Sequence, residues 1–311
     1  MSKNPVSSAS AQRDSSARAP GLMLGAAFLF ALMGVCVKLA SVRYGAGEIV
    51  MYRSVFGIVF VALWSRWRGG SLRTRVPGMH AWRAAVGVIS LTLWFYSIGG
   101  GLPLATAMTL NYMSSVWMAL FLIGGAVLVG GARIDARLLA TVLVGFAGVA
   151  LVLRPTIDRA QLWHGLAGLA SGMIAAMAYL QVTALGRAGE PDYRIVFYFS
   201  AGGVLVGGAL AQLQGGFAGH DWHSAGLLLA IGLLATTAQL MMTRAYAIGS
   251  PLINASLHYT GIGFAFLFGT LWFGESVSAM ALAGIALIIG AGVSATLLRA
   301  RLAAPLKREP G

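Results

Sequence analysis

The stretch "LATAMTLNYMSSVW", residues 104–117, opens as an ordinary apolar run. It then places Thr109, Asn111, Tyr112, Ser114 and Ser115 within seven residues, and Trp117 follows. In a helix that crosses a bilayer, those polar groups fall near mid-depth, where polarity is costly and is retained for a purpose. Two questions follow: whether this segment crosses a membrane, and which other polar groups reach the same depth.

The chain is 311 residues long, 58% hydrophobic and only 10% charged. Soluble domains carry about 25% charged residues, and no soluble fold of this size hides so much apolar surface. The fold class expected is an all-α polytopic membrane protein. Its 42 glycines suit close helix packing in lipid. The single cysteine, Cys36, excludes a disulfide framework or a cysteine-based metal site, and no cofactor is expected. No phosphate-binding glycine loop, His-Glu-x-x-His or Gly-x-Ser-x-Gly pattern occurs, so nothing supports ATP-driven pumping or hydrolysis. The protein is not expected to be an enzyme.

At about 20 residues per crossing, ten transmembrane helices are read: 22–41, 48–65, 81–100, 104–128, 137–154, 164–186, 194–213, 224–246, 250–273 and 277–298. Continuous helices are expected, because lipid offers open backbone groups no partner. Residues 1–20 read as a disordered cytoplasmic tail and 299–311 as a second tail. The net charge of +13 in a soluble protein would suggest nucleic acid. Here it follows the rule that basic residues gather on the cytoplasmic side. With the N-terminus inside, 17 of the 22 Lys and Arg residues, Arg83 among them, fall in inside segments. Only Arg43, Arg154 and Arg159 fall outside, so both termini are expected in the cytoplasm.

Short motifs recur. "AGE" at 46–48 returns at 188–190, "IVMY" at 49–52 returns as "IVFY" at 195–198, and "LNY" at 110–112 returns as "LHY" at 257–259. The chain then divides into five-helix repeats, 21–154 and 155–298. An odd number of crossings turns the second copy upside down, which is the plan of secondary transporters with a mid-membrane site.

The polar groups near that depth are Asn111, Tyr112 and Ser115 on the fourth span, Gln239 on the eighth, and His258 and Tyr259 on the ninth. Trp94, Tyr96, Trp117 and Tyr179 add aromatic surface. Together these ten are the expected substrate-binding residues. Each has an ordinary alternative, since buried Asn, Gln and Ser often join helices and aromatics often form interfacial belts. The nine carboxylates all lie away from mid-membrane, and buried carboxylates are what many proton-coupled carriers use. His258 is the one deep group that titrates near neutral pH. Facilitated diffusion is therefore favoured over proton exchange. Lys38 and Arg53, near the outer ends of their spans, are read as gating or structural charges, with Glu48 or Glu275 as partner. "HDWH" at 220–223 reads as a solvated loop.

The stretches "FALMGVCVKLASVRYGAGEIVMYRS" (30–54), "RAAVGVISLTLWFYSIGGGLPLATAMTLNYMSSVWMALF" (83–121) and "YAIGSPLINASLHYTGIGFAFLFGTLWFGE" (246–275) resemble EamA-type proteins of the drug/metabolite transporter superfamily. Lys38, Arg53, Pro103, Ala107 and the Gly274-Glu275 pair match that pattern. The chain departs from it by lacking a proline after the tyrosines of helices four and nine, and by Gly130-Gly131 in place of a glutamate. Within the superfamily it most resembles bacterial aromatic amino-acid exporters of the YddG type. The resemblance implies an inner-membrane exporter of amino acids, preferentially aromatic, working by alternating access. Its expected partners are the small-molecule substrate and membrane lipids, without nucleic acid, and the carrier is expected to be monomeric. A proton-coupled multidrug exporter, and a non-transporting membrane enzyme or scaffold, are the alternatives.

Overall fold

The computed structural model describes residues 5–114, 116–118, 120–121, 124, 136–153, 159–249, 254 and 257–303. These residues form ten helices of nine residues or more: α1 (Pro5–Ala40), α2 (Ala46–Trp67), α3 (Pro77–Gly99), α4 (Leu104–Tyr112), α5 (Ala136–Leu153), α6 (Arg159–Arg187), α7 (Asp192–Leu213), α8 (Trp222–Ile248), α9 (Thr260–Phe273) and α10 (Ala279–Ala303). α1 starts inside the stretch read as a tail, but its apolar part is Arg18–Ala40. α3 begins at Pro77, four residues before the expected start, because proline at a first helical position gives up an N–H that would have had no partner.

Among the described residues, six helices are long and apolar enough to cross a membrane: the apolar part of α1, α2, α3, most of α6, α7 and α8. Shorter apolar stretches occupy Ala140–Leu151, Thr260–Phe273 and Ala279–Ser294. The burial pattern is inside out relative to a soluble protein. Leu63, Leu205, Leu271 and Trp272 are exposed, whereas Arg53, Arg83, Asn111, Gln239 and His258 are buried.

Two helices expected to be continuous are interrupted. α4 stops at Tyr112 and Met113 forms a turn; α9 starts after a turn at Tyr259. The backbone stays paired through both. Met113 N–H reaches the Thr109 and Leu110 carbonyls, Val116 and Trp117 N–H reach Met113, and Ile262 N–H reaches Tyr259. Both breaks are buried in protein, where irregular backbone is tolerated at membrane depth.

The principal pairings are carried into one another when each helix is replaced by the one five positions along the chain. α1 packs on α8 and α6 on α3; α1 on α9 and α6 on α4; α2 on α8 and α7 on α3. α2 with α7, α4 with α9 and α5 with α10 map onto themselves. α2 and α7 cross on small residues. A Cβ at Gly207 would come within 2.7 Å of the Gly47 oxygen and the Met51 nitrogen, and one at Gly47 within 3.1 Å of the Gly207 oxygen. Backbone approach this close requires the absence of a side chain.

The two "AGE" glutamates fasten opposite ends of this crossing. Beside the start of α2, both Glu48 carboxylate oxygens accept from Ala218 N–H in the α7–α8 loop at 3.2 and 3.3 Å. At the end of α2, Glu190 accepts from Thr74 Oγ1 at 3.0 Å in the α2–α3 loop and from Arg194 Nη1 at 2.9 Å. Glu190 also pairs with His80 Nε2 at 3.0 Å. Tyr52 and Tyr198, which end the "IVxY" motifs, repeat the pattern. The first pairs with His220 Nε2 at 2.7 Å and the second donates to the Leu72 carbonyl at 3.1 Å. The loop expected to be merely solvated therefore has work in the fold: Tyr44 also pairs with His220, and Asp221 caps α8 through Ser224 N–H.

Candidate functional site

One face of α3 is the floor of a small cavity of about 60 Å³. Arg83, Gly87, Ser90, Leu91 and Trp94 recur at helical spacing and all face it. The opposite walls come from Arg53 on α2, Asn111 and Tyr112 on α4, and Ala175, Ala178 and Tyr179 on α6. Phe30 on α1, Phe199 on α7, Gln239 and Met242 on α8, and His258 complete the lining. The two helix breaks meet here: the Tyr112 and His258 rings stack with centroids 4.1 Å apart, and Tyr179 meets His258 edge-on at 6.1 Å. Asn111 Nδ2 donates to Ser171 Oγ at 2.9 Å, and Ser90 Oγ donates to the Ser171 carbonyl at 2.9 Å. α6 approaches closely at this point because Gly172 has no side chain. A Cβ there would come within 2.6 Å of the Leu110 oxygen and 2.7 Å of the Asn111 oxygen.

The electrostatics of the cavity come from two arginines. Arg53 Cζ lies 5.3 Å from the centroid of the Phe199 ring and Arg83 Cζ lies 4.5 Å from the same centroid. The guanidiniums are thus within about 10 Å of each other, and at an effective dielectric of 20 they repel by roughly 2 kcal/mol or more. Both are buried, at 5% and 3% exposure. Arg53 Nε and Arg83 Nε and Nη1 make no hydrogen bond among the described residues, nor do Trp94 Nε1 and Tyr112 Oη. Neither arginine is in any ion pair among those residues. An arginine in a membrane interior costs about 3 kcal/mol or more and ordinarily has a partner. The cavity therefore offers aromatic faces, N–H and O–H donors and two positive charges, the donors unused and the charges without a carboxylate partner among the described residues.

Six of the ten expected binding residues share this cavity: Trp94, Asn111, Tyr112, Tyr179, Gln239 and His258. Tyr96 does not. It is two residues from Trp94, about 200° around the helix, is 42% exposed and stacks on His164 at 4.4 Å. Trp117 follows the α4 break and packs edge-on against Phe146 of α5 at 5.0 Å. Tyr259 is buried beside Gly292 of α10, outside the lining. Ser115 lies outside the described residues. Among the expected gating charges, Lys38 pairs with Glu275 and donates to the Leu102 carbonyl at 2.8 Å. Glu275 Oε2 accepts from Leu104 N–H at 2.8 Å, so the pair ties α1 to the start of α4 and the end of α9. Arg53 departs from its expected place at an outer span end and lies in the cavity.

Of the lining residues that sequence reasoning missed, Arg83 and Phe199 bear most on the cavity's charge; Phe30, Ser90 and Met242 are others. Arg83 is counted with the inside basic residues although the span 81–100 contains it; the helix from Pro77 puts it six residues, about 9 Å, inside. The signal available was its spacing to Gly87, Ser90 and Trp94 on one helical face. Phe199 follows "IVFY" where Arg53 follows "IVMY", so the motif itself aligned the two.

The EamA-like transporter family model matches residues 18–154. The chain is 33% identical over 273 residues to the pseudopaline exporter CntI of Pseudomonas aeruginosa, covering 86% of this chain and 92% of that protein. It is 25% identical over 277 residues to the riboflavin transporter of Rhizobium johnstonii, covering 87% and 88%. A solved crystal structure covers 93% of this chain and 99% of its own with a TM-score of 0.64 at 19% identity, a likeness of fold alone.

Proposed function

Because this chain belongs to the EamA-like transporter family, we propose that it exports a small organic solute through the cavity between α3, α4, α6 and α8 by alternating access. The carrying observation is the convergence of Trp94, Asn111, Tyr112, Tyr179, Gln239 and His258 on one buried space. The solute is an amino acid or a compound built from one, with an aromatic or heteroaromatic part for the rings of Tyr112, Tyr179 and His258. Relatives that export pseudopaline and transport riboflavin support an organic solute. Ten spans, two inverted repeats, cytoplasmic termini and an inner-membrane location complete the reading. The i to i+5 pairing of helices and the two glutamate fastenings support the repeat; the basic-residue bias supports the orientation. Transport is facilitated diffusion, because no carboxylate lines the cavity among the described residues. The same observation disfavours a carrier of organic cations, which would meet two arginines.

Purified protein in proteoliposomes tests this with radiolabelled phenylalanine, tryptophan, threonine and methyl viologen, with and without a pH gradient. Saturable flux of the aromatic amino acids without a gradient, reduced at least tenfold by His258→Ala and by Asn111→Ala in normally inserted protein, is expected. Flux of methyl viologen alone, or flux unchanged in both variants, contradicts the reading.

A further inference from the structure

We infer that the cavity ranks its aromatic solutes by charge, holding oxyanion groups on Arg53 and Arg83, so that compounds whose oxyanion groups outnumber their amines bind ahead of the plain aromatic amino acids. This rests on the cavity's being the transport site and specifies what it accepts. Three observations carry it. Both arginines line the cavity and are at least nine-tenths buried. Both keep N–H groups without a hydrogen-bond partner among the described residues, and neither has a carboxylate partner there. The other lining groups carry no fixed charge; among them the His258 ring stacks by one face on Tyr112.

A single carboxylate balanced by an ammonium, as in a plain amino acid, would bring no net charge to a site holding two. A guanidinium stays charged at any working pH and offers a planar fork that fits carboxylate or phosphate oxygens in pairs. Two such forks near one aromatic ring fit a compound with two oxyanion groups, or one of double charge. Gly87 serves the same end. A Cβ there would come within 1.8 Å of Arg83 Nη1 and 2.9 Å of Phe199 Cε2, so glycine is what lets the Arg83 side chain lie back along α3 beneath the ring. The oxyanion is carboxylate or phosphate, and the ligand series below separates the two.

Two measurements test the inference. In a Cys36→Ala background, Ala178→Cys places one thiol on the cavity wall. Its reaction rates with the anionic sulfonatoethyl and cationic trimethylammonioethyl methanethiosulfonates are each divided by the rate with a free thiol. The anion-to-cation ratio is expected to exceed ten and to fall several-fold in Arg83→Gln and in Arg53→Gln, with Arg→Lys at either position restoring most of it. A ratio of one or less overturns the inference and leaves the transport site standing. Failure of both reagents to react from either side of the membrane overturns the transport site itself, and the inference with it.

The second measurement is binding to the purified protein, read by thermal shift, of phenylalaninamide, phenylalanine, phenyllactate, benzylmalonate and phenyl phosphate. These share a benzyl or phenyl ring and differ in charge. Tighter binding with each added negative charge, lost in Arg83→Gln, is expected. Benzylmalonate ahead of phenyl phosphate assigns carboxylates, and the reverse order assigns phosphate. Equal or tighter binding of phenylalaninamide, or no binding by any anion, overturns the inference.

Discussion

Individual residues do opposite jobs in the two halves of the chain. Arg53 and Phe199 occupy the same place after their "IVxY" motifs, yet one is a cation and the other the ring beneath it, 5.3 Å away. Gly87 decides whether Arg83 can reach that ring. Gly87→Ala should displace the guanidinium and reduce transport at least tenfold, while the melting temperature changes by only a few degrees, since overpacking falls on the end of a flexible side chain. Flux assays beside thermal unfolding check this; unchanged flux would show that Arg83 finds its place without the gap. Residue chemistry made much of the cavity legible beforehand. Asn111, Tyr112, Gln239 and His258 stood out because polar groups are rare in apolar spans. Arginine near a span end is ambiguous, because the same residue marks a cytoplasmic loop or a buried charge, and a four-residue error in one helix start decided it wrongly for Arg83.

Among the elements, the α2–α7 crossing and the two interrupted helices set the geometry. Period and length fixed where most helices run, but not where they stop. Hydropathy does not mark a turn at Met113 or Tyr259: the polar residues beside them, Asn111, Tyr112 and Ser114 at one and His258 and Thr260 at the other, are also found in continuous spans, and both turns are buried. The crossing predicts its own sensitivity. Gly207→Ala would thrust a methyl against backbone atoms of Gly47 and Met51 at 2.7 Å, with nothing flexible to give. It should destabilise by about 1–3 kcal/mol, measured as a fall in thermal midpoint, whereas Gly226→Ala on α8, with nothing within 4 Å, should not.

The fastening at Glu190 predicts a pH effect. Burial by itself would raise this carboxyl, but hydrogen bonds from Arg194, His80 and Thr74, with the Arg194 charge, hold it below its ordinary 4.5. A carboxyl lowered on folding stabilises fully above its unfolded value and loses that contribution as pH falls through the folded one. Wild-type protein should therefore melt higher than Glu190→Gln at pH 7, and the gap should narrow below about pH 4.5. A gap independent of pH would mean the carboxylate charge is not what fastens the loops.

Across the whole molecule, the fastenings lie at the two ends of α2 and each joins one half of the chain to the other. At one end Glu48 holds the α7–α8 loop; at the other Glu190 holds the α2–α3 loop. The central claim is that these ends open in alternation around a fixed cavity. Spin-label pairs in a Cys36→Ala background measure it, one at Arg73 and Ala188 and the other at Val42 and Leu213, all exposed. Distances in nanodiscs would be taken with and without a transported ligand. Reciprocal change is predicted, so that the population in which one pair lengthens is the population in which the other shortens. Pairs that lengthen together, or that hold one unchanged distance at both ends, would contradict alternating access through this cavity.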